Sequence, residues 1–74
     1  MKEFHCWIPL TSPGDIPKAV RYDAVAENEE GALELALTEA KNKIYPNFSI
    51  DYSSHATVFS SDNPKEGKQI SLSH

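Results

Sequence analysis

The rhythm of apolar and polar residues changes several times along this chain, and each change marks an element. Over Glu3 to Leu10 the period is two: Phe4, Cys6, Ile8 and Leu10 share one parity, His5, Trp7 and Pro9 the other. That is a strand with its even residues turned to a core. Pro9 cannot donate to a ladder, which puts this end of the strand on an edge or at its termination. Ser12-Pro13-Gly14-Asp15 then has the residues of a type II turn. Lys18 to Ala26 alternates again, with Val20, Tyr22, Ala24 and Ala26 on the inner parity and Arg21, Asp23 and Val25 on the outer. This second strand is expected antiparallel to the first.

The period changes to 3.6 over Glu29 to Lys43, where Leu33, Ala36, Leu37, Ala40 and Ile44 fall on one stripe of a helix with Leu37 at its centre. Asn28 is the expected N-cap, Glu27, Glu29 and Glu30 suit the positive end of the helix dipole, and Lys41 and Lys43 suit the other. Pro46 ends the element. Beyond it Phe48, Ile50, Tyr52, Ala56 and Val58 share the even parity, which predicts one long strand bent near Ser53-Ser54 in preference to two strands. Ser61 to Lys68 is dense in turn formers, and residues 69–73 return as a short fourth strand or fray as a tail. The order β-β-α-β-(β) predicts an antiparallel sheet with one helix packed on one face, in the α+β class. Residues 1–74 form a single compact domain, with 61–74 as that last strand or tail.

Composition narrows the chemistry. Eleven acidic residues against seven basic give a net charge of −4, which repels a phosphate backbone, so direct nucleic-acid binding is not expected. A single cysteine rules out an internal disulfide, and with no charged leader and no apolar run long enough for a membrane span the expected setting is cytoplasmic. His5 and Cys6 are neighbours on a strand and point to opposite faces, so no metal site and no cofactor are expected. No serine lies in a nucleophile elbow and the three glycines do not form a phosphate loop, so the chain does not read as an enzyme.

The outer parity of the sheet carries the candidate site. Trp7, Val25 and Phe59 fall there with His5, Arg21 and His55, on the face that one helix cannot cover. An apolar patch with a polar rim, centred on Trp and Arg, suits a protein partner or a second copy of the chain. Glu34 and Leu35, on the outer side of the helix, form a secondary candidate.

Val20 to Tyr52 also carries a likeness. A strand closed by Tyr22, the acidic capped turn AENEEG, the helix ALELALTEA, Tyr45-Pro46 and a strand led by Phe48 together resemble the small phage proteins that shut off bacterial RNA polymerase. In size, acidity and layout the chain is also similar to small anti-CRISPR proteins. The resemblance implies a phage-type inhibitor that acts in the cytoplasm of a bacterial host by binding a protein complex, RNA polymerase or a CRISPR effector. That family uses arginines of its last strand against the polymerase jaw, whereas Ile50 to Phe59 offers only His55 as a basic residue. The alternative expectation is a homodimeric structural or accessory protein.

Overall fold

The structure, a computed structural model, describes residues 1–11, 18–43 and 48–72. Among them the order is β1 (Lys2–Thr11), β2 (Lys18–Ala26), α1 (Glu29–Lys43), β3 (Ser49–Ile50), β4 (His55–Ser60) and β5 (Asn63–Ser71). Every strand pair is antiparallel; the sheet runs β2-β1-β4-β5, with β3 also paired to β1. This is the expected α+β architecture. The turn at Ser12-Pro13-Gly14-Asp15, the place of Ile44 on the stripe and the stop at Pro46 lie outside the described residues.

The helix begins where its cap chemistry predicts. Asn28 Oδ1 accepts from the Gly31 N–H at 2.8 Å, and the Asn28 carbonyl accepts from the Ala32 N–H at 3.1 Å. Its buried residues are Ala32, Leu33, Ala36 and Ala40. Relative to the predicted stripe the buried arc is turned by roughly 40°, taking ~100° per residue. Leu37 is therefore not central: it is only half-buried and packs on the margin of the core. The reason is size. Three alanines four residues apart let the helix lie close on the sheet, whose Phe4, Ile8 and Val58 supply the volume.

Even residues of β1 face this helix as expected, with Phe4, Cys6 and Ile8 buried. The expectation that Pro9 marks an edge or an end is corrected: β1 has neighbours on both sides, β2 on one and β4 and β3 on the other. Pro9 instead breaks its neighbour. The Pro9 carbonyl accepts from the Asp51 N–H at 2.9 Å, but Pro9 has no N–H to return to the Asp51 carbonyl, which takes the Ser54 N–H at 3.2 Å. The Asp51 carboxylate holds the resulting turn, accepting from the Ser53 N–H at 3.1 Å, the Ser53 hydroxyl at 2.6 Å and the Ser54 hydroxyl at 2.9 Å. The single bent strand is thus two strands, β3 and β4, both laid along β1. Between them three steps of β1, Leu10 to Trp7, are matched by the seven from Ile50 to Thr57. The excess of four is even, so Ile50, Ala56 and Val58 all stay inward, while Tyr52 on the bulge is 46% exposed instead of inward.

The last strand is longer than expected. Asn63 to Lys68, read as turn, is already strand, and only Ser61 and Asp62 turn. Pro64 is tolerated because β5 is an edge, and the register against β4 shifts between Val58 and Ser60. Beside that shift the Phe59 ring lies on the backbone of Gly67, where a Cβ would come within 2.5 Å of Phe59 Cε1 and 2.8 Å of Thr57 Cγ2. Gly67 therefore serves close packing more than flexibility. On the inner side Lys68 reaches Glu30 at 2.7 Å, tying β5 to the first turn of α1.

Two substitutions test this packing. Leu33→Ala should cost about 2 to 5 kcal/mol in urea unfolding and Leu37→Ala less than half as much, since Leu37 leaves no enclosed cavity. Gly67→Ala should destabilise by about 1 kcal/mol or more in the native chain, through displacement of the Phe59 ring. In a Phe59→Ala background the same change should cost less, with only the 2.8 Å approach to Thr57 Cγ2 left to relieve, and the double-mutant cycle measures that coupling.

Candidate outer-face interface

The register places the outward side chains in rows across the strands. One row is Arg21, Trp7, Thr57 and Gln69; the next is Asp23, His5 and Phe59. Trp7 thus has a long polar side chain on one flank and a methyl-bearing one on the other, and it is 41% exposed on an interior strand. The strand that carries it has neighbours on both sides, so the ring projects from the interior of the sheet.

Of the residues assigned to this face from the sequence, Trp7, His5, Arg21 and Phe59 fall in these two adjoining rows. Val25 and His55 share the face but lie toward opposite ends. Val25 stands opposite Glu3, four residues along β2 from Arg21, and is 52% exposed. His55 lies two residues before Thr57, on the other side of the Trp7 row. Phe59 is partly covered by its contact with Gly67, so the solvent-facing aromatic of the pair is Trp7.

Sequence reasoning missed Asp23 as the organiser of the second row. Its Oδ1 accepts from His5 Nδ1 at 2.7 Å and lies 3.3 Å from Arg21 Nε. A carboxylate only accepts, so the imidazole donates. The hydrogen bond from His5, followed by the charge of Arg21, holds the Asp23 carboxyl below its ordinary 3.8. The His5 hydrogen bond makes this a clamp between β1 and β2, and the Arg21 guanidinium adds an ion pair to the same oxygen from within β2. The alternating parity already put all three residues on one face; the pairing that joins them needed the register.

On the opposite face of β1, burial and then the charge of Asp23 push the Cys6 thiol up to about 11, so it stays protonated and inert at neutral pH. His5 and Cys6 do point to opposite faces. Among the described residues no three of His, Cys, Asp and Glu come together as metal ligands, and no helix is long and apolar enough to cross a membrane.

The secondary candidate is divided. Glu34 lines a groove of about 520 Å³ between α1 and β5, floored by Leu33, Leu37, Ile70 and Leu72. Leu35, 51% exposed, lies ~100° round the helix from it, on the flank away from that groove. The two do not form one surface with a common direction.

Comparison of the chain with family models, with curated proteins and with solved structures finds no match.

The Asp23 clamp gives a pH signature. A carboxyl whose pKa is lowered on folding adds stability above its unfolded value, and that stability is lost as pH falls through the folded one. Asp23→Asn should therefore melt below the wild type near neutral pH. The gap should close as pH falls below 3.8, as followed by circular dichroism.

Proposed function

We propose that this protein is a non-catalytic binding protein that inhibits a host nucleic-acid machine, RNA polymerase or a CRISPR effector, by docking its outer sheet face on a protein surface of that machine. The observation that carries the reading is Trp7, 41% exposed and framed by Arg21 and Thr57 on an interior strand, on a sheet face that no other layer covers among the described residues. Trp and Arg are the side chains that most often dominate protein interfaces. The net charge of −4 supports contact with the machine's protein or with its basic channels rather than with nucleic acid. The phage-type likeness of residues 20–52 supplies the class of target.

The test adds purified protein to transcription by bacterial RNA polymerase and, separately, to target cleavage by CRISPR effectors. Inhibition of one of them, weakened at least about tenfold by Trp7→Ala, or ~1.4 kcal/mol, with the melting temperature unchanged, is the expected result. Inhibition that Trp7→Ala leaves intact would move the site off this face. Affinity capture that recovers only the chain itself would return the homodimeric accessory protein as the better reading.

A further inference from the structure

Strand β2 has β1 on one side and, among the described residues, no partner on the other. Which of its groups face that open side follows from the ladder. The carbonyls of Glu3 and Pro9 accept from Ser61 and Asp51, so odd residues of β1 direct their backbone groups away from β2 and even ones toward it. Through the register, Val20, Tyr22 and Ala24 bond to β1. Ala19, Arg21, Asp23 and Val25 present N–H and C=O groups to the open edge.

Exposed edges normally carry features that block further pairing. The opposite edge, β5, has Pro64, Lys65 and a register shift. By contrast β2 runs for nine residues without proline and keeps one register against β1 from Lys2 to Leu10. It is a ready template for another strand.

We propose that two copies of the chain join β2 to β2, antiparallel about a two-fold axis at Tyr22, to make one sheet across both molecules. Charge selects this register. An axis at Arg21 would set the two Arg21 side chains opposite each other, and an axis at Asp23 would oppose two carboxylates; like charges directly across a ladder destabilise it. The axis at Tyr22 sets Arg21 opposite Asp23 of the second copy, twice by symmetry, and Ala19 opposite Val25, also twice. On the inner side Val20 meets Ala24 and Tyr22 meets its own copy. Each pair of open-edge residues exchanges two bonds, so about eight backbone hydrogen bonds form.

The helix fits the same arrangement. It lies mainly over β2 and β1, and its Leu37 flank borders the groove toward β5, so the flank with Leu35 and Glu39 faces the axis. Two helices on the same side of the joined sheet then come side by side, and the exposed Leu35 gains cover. On the outer side the row of Thr57, Trp7 and Arg21 continues into Asp23, His5 and Phe59 of the second copy.

The experiment measures mass by light scattering from about 10 µM to about 1 mM, a range that reveals even weak association. The expected species has twice the 8.2 kDa of one chain. Ala19→Pro removes an edge donor at a position where a lone edge strand tolerates proline. It should give a monomer with an unchanged circular-dichroism spectrum. Arg21→Asp should weaken the dimer at least about fivefold, from two attractions turned to repulsions, and adding Asp23→Arg to the same chain should restore it. Trp7→Ala should leave the dimer intact. The proposal is overturned by a monomer at every concentration, by a dimer indifferent to Ala19→Pro, by a double charge variant no better than Arg21→Asp, or by a dimer that Trp7→Ala dissolves, which would place self-association on the sheet face. Should Ala19→Pro fail to fold, the charge series on the exposed Arg21 decides alone.

Discussion

One helix has to serve a sheet four strands wide. With side chains an α-helix is about 10 Å across, whereas neighbouring strands lie ~4.8 Å apart, so α1 covers two strands well and a third in part. The alanines at Ala32, Ala36 and Ala40 bring it close over β2 and β1, and the rest of the molecule is arranged around what it leaves open. Beyond its far flank, Ile70 of β5 and Leu72 just past its end line a groove with Leu37 and Tyr52, and Lys68 reaches back to Glu30. The whole other side of the sheet has no layer upon it among the described residues. There the Asp23 clamp and the Phe59 ring on Gly67 act as local covers, and Trp7 and Val25 are the large apolar side chains they leave exposed.

Much of this was legible in the residues because period and parity are local. The helix from Glu29 to Lys43, its Asn28 cap, and the inward side of β1 and β2 follow from spacing and cap chemistry alone. So does the grouping of Trp7, His5, Arg21 and Phe59 on one face, because a strand's side chains have no third direction to take. Parity even survived a broken strand, since the bulge at Asp51 inserts an even number of residues.

What was not legible depended on partners. Pro9 was read for its own strand, whereas its effect falls on the strand opposite: the missing N–H leaves the Asp51 carbonyl to Ser54, and a predicted bend becomes a turn that puts Tyr52 outside. That inference required knowing that Pro9 faces Asp51. The stretch from Asn63 to Lys68 has the composition of a loop, and it runs as strand between two pairings with β4, Asn63 with Ser60 and Lys68 with Val58, on an edge that tolerates Pro64 and the register shift between them. Tertiary pairing outweighs local preference in strands more readily than in helices. The rotation of the helix had a subtler cause. A hydrophobicity pattern weights Leu37 above Ala32, whereas close packing against Phe4 and Ile8 favours the smaller residue.

The same ladder that buries β1 determines what its neighbour can do. Even residues of β2 spend their backbone groups on β1 and tuck their side chains beneath α1. Its odd residues are left with side chains on the outer face and backbone groups at the open edge. Arg21 and Asp23 therefore belong to two surfaces at once, as the frame of Trp7 and as the charged steps of a strand edge. Within one chain they already share a contact at 3.3 Å, reinforced by His5. Because they are two residues apart on an antiparallel template, the order that lets them pair along the strand also lets them pair across a two-fold axis. A joined sheet would hold the Asp23 clamp from both edges and present two Trp7 rings on one continuous face. Edge and face would then act as one surface, so charge at these two positions would govern how rigidly the aromatic is offered to a partner as well as how many copies offer it.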